Sequence, residues 1–308
     1  MFTKKIRFFL IAIFCITIGK NAFAEENLGV ISNKEFSFGL HSSFQNADFS
    51  FDTPGAHSIL KWREMKGYNI GTELKYQIFD TQGEYLINKS NIFLNYSYSK
   101  LKGDGTDDDI SNYFGVYSVH EAEGNIHDAR AIVDIESADF NGFAPAIRLG
   151  GFYKRVNFDM SHGYFLYATN SGAFIGEFPD VLTQRTSSVF SGATVGGKIT
   201  HKTDSSENIL LFDFYPSVKY QGNQHWPLRE LHWKLSSASP GMGFKIGLEH
   251  YFKISNQAFK LFSSFESIKI NKLKEFGPEY SIIGGSKDSA VNGNASFNAF
   301  NIGAGIYF

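Results

Sequence analysis

Apolar and polar residues alternate strictly along the last segment of the chain. Side chains of a β-strand alternate between its two faces, so this pattern predicts a strand with one apolar and one polar face. Such a strand fits a barrel whose outer wall meets lipid and whose lumen is polar. The apolar positions are Phe300, Ile302, Ala304, Ile306 and Phe308.

The same alternation recurs along the chain and predicts an all-β fold, a transmembrane antiparallel β-barrel of about ten strands. An even number of strands lets both termini face the periplasm. A secreted β-sandwich is the alternative fold class. The predicted strands cover residues 34–51, 58–77, 85–100, 129–139, 145–160, 188–202, 208–221, 240–253, 258–271 and 295–308.

Connections of two lengths give the barrel an orientation. Short connections carry turn residues such as Asn141-Gly142. Since periplasmic turns are short and outer loops are long, the long segments are expected outside the cell. The long segments are 101–128, 161–187, 221–239 and 272–294.

The first 24 residues have the features of an export signal. Basic residues precede an apolar run from Phe8 to Ile18, and Ala22-Phe23-Ala24 supplies small residues for cleavage. The run is 11 residues long, whereas a helix needs roughly 20 to cross a bilayer. We therefore expect a signal peptide at 1–24, a single barrel at 25–308, and localisation to the cell outer membrane.

Composition excludes several classes of site. Removal of residues 1–24 leaves 25 basic against 31 acidic residues, a net charge of −6, which argues against a nucleic-acid partner. The only cysteine, Cys15, lies in the signal, so the remaining chain has no thiol chemistry. His120-Glu121 lacks the second histidine of a zinc-protease motif, and we expect no metal site.

An acidic segment, Gly103–Ile110, lies in the first long connection. In extended backbone Asp107 and Asp109 project to the same side, where two close carboxylates titrate as a pair and can hold a water molecule. A solvated loop tip, or a weak site for divalent cations, is the alternative. Near the third long connection, Asn223 and His225 alternate in the same way, and Glu230 with His232 forms a second such pair.

The sequence resembles the omptins, ten-stranded outer-membrane proteases that cleave exposed peptides. The resemblance is carried by Gly103–Ile110, Phe36–Gly39, Ser58–Trp62 and the closing strand to Phe308. It implies that Asp107 and Asp109 are the catalytic pair, and that His225 and Asn223 occupy the positions of an opposing Asp-x-His dyad. An amide at Asn223 orients an imidazole without stabilising its charged form; in serine proteases the analogous change costs about 10⁴ in rate.

The resemblance also implies partners: outer-membrane lipid, lipopolysaccharide as a requirement for activity, and an exposed peptide or protein substrate, with no other cofactor. Two non-enzymatic functions remain open. One is a surface adhesin or binding barrel on the same scaffold. The other is a narrow channel, which the lumen-facing Lys245 and Glu249 suggest; a barrel of this size has a lumen that is filled by side chains or holds at most a narrow passage.

Overall fold

The chain forms a closed antiparallel barrel. A computed structural model describes residues 36–53, 58–81, 87–110, 115–168, 176–177, 181–203, 205–227, 231–255, 257–276 and 293–308. The segment predicted as a signal peptide lies outside these residues. In the described part of the chain, no helix is long and apolar enough to cross a membrane.

Ten strand positions surround the lumen. The two-residue strand β6 pairs only with the edge of β5, and β9 and β10 together occupy the single position beside β8. The strands are β1 (Phe36–Thr53), β2 (Ser58–Asp80), β3 (Ile87–Ile110), β4 (Gly115–Ser137), β5 (Phe143–Ala168), β6 (Gly176–Glu177), β7 (Gln184–Lys202), β8 (Ser206–Trp226), β9 (Leu231–Ser237), β10 (Gly241–Ile254), β11 (Gln257–Phe276) and β12 (Gly293–Tyr307).

The last strand closes the barrel on the first. β1 pairs with β12 from Gly39 opposite Tyr307 to Phe51 opposite Ala295. The backbone N–H of Phe308 donates to the carbonyl of Phe38 at 2.9 Å, which extends the pairing to the C-terminus. The prediction of a barrel of about ten strands is therefore confirmed, and neither terminal strand is left as an open edge.

A belt of exposed apolar side chains surrounds one end of the barrel. This is the end with the short turns, where Asn141 and Gly142 have φ values of 53° and 82°. Positive φ at both central residues is the geometry of a type I′ turn, which joins two antiparallel strands through a two-residue loop. The belt is therefore the lipid-facing, periplasmic half, and it includes Tyr68, Ile70, Leu94, Ile147, Leu149, Val195, Ile199, Leu210, Phe212, Ile246, Leu248, Leu261, Phe300 and Ile302.

Beyond the belt the strands continue into segments that we had predicted as loops. The segment 101–128 consists largely of the end of β3 and the start of β4, which stay paired up to Ile110 opposite Gly115. The apolar face reverses there: Leu101 is buried in the lumen while Lys100 and Lys102 are exposed. Parts of the other long connections are also strands, namely 161–168, 176–177, 184–187, 221–226, 231–237, 272–276 and 293–294.

The lumen within the belt is filled by charged side chains. Glu266 accepts hydrogen bonds from Arg130 and Tyr215 at 2.7 and 3.0 Å, and also pairs with Lys154. A cavity of about 150 Å³ remains among these groups. Lys245 and Glu249 line it, as predicted, and its wall contains six basic and six acidic residues, so the opposite charges balance. The attraction between opposite charges offsets the cost of removing each charged group from water.

A layer of aromatic side chains lies above the charged lumen, towards the long-loop end. We call it the aromatic layer; its residues are Phe49, Phe51, Trp62, Phe158 and Phe190. All five are at most 1% exposed, and Trp62 packs on Phe49 and Phe51 with ring centroids 5.4 and 5.6 Å apart. These side chains fill this level of the lumen with packed apolar rings.

This layer argues against the channel hypothesis. We expect the purified protein in planar bilayers to show no stable ion-conductance steps, because an ion would have to displace packed aromatic rings. A reconstituted porin in the same lipid provides the positive control. Reproducible steps that saturate with salt concentration would show that the layer opens, and the channel hypothesis would then stand.

Candidate active site

The inner face of β3 brings Asp107 to the extracellular mouth of the barrel. Asp107 lies opposite Leu60 on β2 and Ser118 on β4, which are 4% and 3% exposed and face the lumen. Directly opposite residues share a face of the sheet, so Asp107 also points inward. It lies just above the aromatic layer, since Gly105, two residues earlier, is opposite Trp62. Asp107 is half-buried.

Asp109 follows Asp107 on the same strand. Its backbone pairs with Ser58 of β2 and Val116 of β4, close to the end of the β3–β4 hairpin. The predicted acidic segment is thus the rim of a paired hairpin, where the sheet fixes the backbone, and differs in this respect from a free loop tip.

The structure places Asn223 and His225 on the outer face of β8. Asn223 is exposed, whereas Gln224 between the two is 2% exposed and donates to Thr186 Oγ1 from its inward side chain. His225 is opposite Arg185, an exposed residue that pairs with Asp159 on the outer wall at 2.9 Å. This arrangement differs from our expectation that the imidazole of His225 faces the aspartate pair across the mouth.

A β-bulge on β8 causes the difference. Against β7, the pairs run from Val195 opposite Phe214 to Gly192 opposite Val218, so β8 contributes one extra residue between them. Inward positions therefore change from odd numbers such as Asp213 to even numbers such as Tyr220. The catalytic roles of Asp107, Asp109, Asn223 and His225 stay predictions.

The second predicted pair lies near the first. The ring of His232 stacks on that of His225 with centroids 4.0 Å apart and planes 8° apart, again on the outer wall. Burial, with smaller contributions from His232 and Arg185, lowers the pKa of His225. Glu230 is outside the described residues.

A histidine on the inner face lies beside Asp107 instead. His120 is 7% exposed, two residues beyond Ser118 on β4. Its Nε2 is 2.8 Å from Ser118 Oγ, and its Nδ1 is 3.1 Å from Thr183 Oγ1. Sequence reasoning considered His120 only as a zinc ligand. The pattern Ser-x-His on a strand that flanks the acidic segment is the signal that could have identified it.

The described residues contain no group of three or more histidine, cysteine or acidic side chains arranged to hold a metal ion. The chemistry that the inner face offers is that of a carboxylate, a hydroxyl and an imidazole: proton transfer and the positioning of water.

Comparisons with known proteins agree with the fold. No protein-family profile matches the sequence, and no curated protein sequence matches it. Among solved structures, the chain is similar to the outer membrane protease OmpT from Escherichia coli, with a TM-score of 0.73 and 11% identity over 92% of this chain and 99% of that one.

Two other solved structures show weaker similarity, with TM-scores too low to indicate a shared fold. Ail, the attachment invasion locus protein of Yersinia pestis, has a TM-score of 0.29 at 9% identity, with 89% of this chain and 100% of that chain covered. OprG from Pseudomonas aeruginosa has a TM-score of 0.34 at 11% identity, with 91% and 99% covered.

The closed barrel, its apolar belt and the similarity to OmpT define the class. The chain is an outer-membrane β-barrel protein, as predicted. At 11% identity the structural similarity establishes the fold alone. Function depends on the residues of the site.

Proposed function

We propose that the protein is a surface endopeptidase of the outer membrane that cleaves exposed peptides at the extracellular mouth of the barrel. The observation that carries the proposal is the inward position of Asp107 above the membrane belt, on the hairpin that also holds Asp109. A peptide that enters the mouth from outside meets this carboxylate before it meets the aromatic layer.

In the proposed reaction Asp107 and Asp109 hold a water molecule that attacks the scissile carbonyl carbon. The carboxylates orient the water by accepting its hydrogen bonds, and a neutral histidine takes up the proton that the water loses. The aromatic layer beneath the site closes the lumen, so the substrate and its products use the same opening. The active protein has lipopolysaccharide as its lipid partner in this proposal.

The test is cleavage of an internally quenched peptide library by the full protein in outer-membrane vesicles that contain lipopolysaccharide. We expect Asp107→Asn to lower kcat about 100-fold, the lower end of the range for a group that acts on protons in the transition state. Asp104→Asn is the matched control, because Asp104 is an exposed acid on the outer face of the same strand. We expect this control to retain the wild-type rate.

A non-catalytic surface-binding barrel is the second candidate. The outward position of Asn223 and His225 favours it, because these two residues then do not form the inward dyad that the resemblance implies. A wild-type protein that binds matrix or host proteins but cleaves no peptide, with or without lipopolysaccharide, would support this candidate and contradict the endopeptidase.

A further inference from the structure

Ser118, His120 and Thr183 form a chain of hydrogen bonds at the mouth, and its directions can be assigned. Thr183 Oγ1 donates to the carbonyl of Met160 at 3.0 Å, so the same oxygen accepts from Nδ1–H of His120 at 3.1 Å. Neutral imidazole carries one N–H, which leaves Nε2 as an acceptor for the hydroxyl of Ser118 at 2.8 Å. The network therefore fixes one tautomer of His120, with its basic nitrogen towards Ser118.

Asp107 is the next polar group along this row. It lies directly opposite Ser118 in the β3–β4 pairing, and opposite residues have Cβ atoms about 5 Å apart. Gly105, opposite His120, has no side chain, and a Cβ there would lie 2.9 Å from the side chain of Met160. Carboxylate, hydroxyl and imidazole thus follow one another on the inner face.

The imidazole of His120 is unprotonated, as a group that accepts a proton must be. Burial lowers the pKa of His120 to about 4, so the imidazole is neutral at the pH of most media. By contrast, His225 lies on the outer wall beside Arg185 and His232, where an inner-face substrate is out of reach.

We propose that His120 is the histidine of the active site and that the Ser118 hydroxyl passes the proton to it. This inference rests on the proposed endopeptidase function. When the water held by Asp107 attacks the carbonyl carbon, its proton moves to Ser118 Oγ and the Ser118 proton moves to Nε2 of His120. The imidazolium then returns a proton along the same path to the leaving nitrogen as the C–N bond breaks. The products are a carboxylic acid and an amine.

In this proposal Ser118 lies between the reacting water and the imidazole of His120. Substitution of Ser118 therefore distinguishes proton transfer through the hydroxyl from direct transfer between the water and His120. In Ser118→Ala no hydroxyl is present to pass the proton to His120. We expect this substitution to lower kcat by less than His120→Gln does. In a purely structural cluster, the two substitutions would change stability and leave the kcat of the folded fraction unchanged.

The experiment measures peptide cleavage by the full protein in lipopolysaccharide-containing vesicles for His120→Gln, Ser118→Ala, His225→Gln and His162→Gln. His162, an exposed residue on β5, is the matched control. The folded fraction is measured by heat-dependent gel mobility, and rates are expressed per folded molecule. We expect His120→Gln to lower kcat about 100-fold with little change in KM, and His162→Gln to retain the wild-type rate.

The pH profile gives a second readout. A base with a pKa of about 4 in the free protein keeps kcat/KM constant down to about pH 5, and the acid limb of the kcat/KM profile should lie near pH 4 in the wild type. An acid limb between pH 6 and 7 that disappears in His225→Gln would assign the base to His225 and overturn the inference.

The remaining outcomes separate the two proposals. If Asp107→Asn loses activity while His120→Gln retains it, the endopeptidase stands and this inference fails. If the wild type cleaves no peptide, both fail. Labelling of Ser118 by a fluorophosphonate, with all activity lost in Ser118→Ala, would make Ser118 a nucleophile and overturn its role as a relay.

Discussion

Replacing Trp62 by alanine is expected to lower the free energy of unfolding by about 3–5 kcal/mol, the usual cost of truncating a large buried aromatic side chain. Trp62 is 0% exposed and contacts three other rings of the aromatic layer, those of Phe49, Phe51 and Phe158. The layer cannot collapse into the vacated space, because the neighbouring rings are held on β1 and β5 of a closed sheet. The cavity therefore remains, and its cost adds to the lost apolar burial.

Trp62→Phe is the control for this prediction. The indole N–H of Trp62 is buried and has no hydrogen-bond partner among the described residues, so phenylalanine removes an unsatisfied donor while it retains a ring. We expect it to lose less than half of what alanine loses. Urea unfolding in lipid vesicles, followed by heat-dependent gel mobility, measures both variants. Equal losses in the two would show that ring packing is not the source of the stability.

Replacing Glu266 by alanine is expected to cost a similar amount, about 3–5 kcal/mol, for an electrostatic reason. Glu266 is 3% exposed and is the shared acceptor for Arg130, Lys154 and Tyr215. Without it, Asp128 is the one carboxylate among the described residues that pairs with both Arg130 and Lys154. Removal of Glu266 then leaves two buried cations to share one carboxylate, so that one positive charge is uncompensated.

Glu123→Ala provides the comparison. Glu123 is exposed and forms an ion pair with Lys102 at 3.8 Å on the outer wall. Surface pairs of this kind contribute roughly 0–1 kcal/mol, so the unfolding midpoint in urea should hardly move. If Glu266→Ala is as stable as Glu123→Ala, the charged lumen contributes little to the stability of the barrel.

The strands of the belt could be predicted because lipid and lumen impose opposite polarity on alternate residues. Tyr68 and Ile70 face lipid, and Asn69 between them is buried in the lumen. Above the belt, water replaces lipid and the lumen becomes apolar, so the same period continues with its faces exchanged. A prediction that looks for apolar residues on the lipid face ends β3 near residue 100, ten residues before the strand itself ends.

The candidate site was predictable in part for the same reason. β3 has no bulge between Asn91 and Asp107, so counting by twos places Asp107 on the correct face. Counting fails on β8, where the extra residue near Pro216 exchanges the faces before Asn223 and His225. Proline inside a strand is typical of a bulge. Pro216 is therefore the sequence signal that the side chains of β8 do not alternate regularly between the two faces.

The aromatic layer also hinders proton transfer through the lumen between the periplasm and the mouth. Protons move along chains of groups that donate and accept hydrogen bonds, and a phenyl ring offers neither. Phe49, Phe51, Phe158 and Phe190 lie between Asp107 above and the ion pairs of the lumen below, and His120 is in the same row of the sheet as Trp62, since both are opposite Gly105. The rings thus lie between the polar groups of the mouth and those of the lumen, and we expect proton exchange at the mouth to follow the acidity of the medium outside the cell.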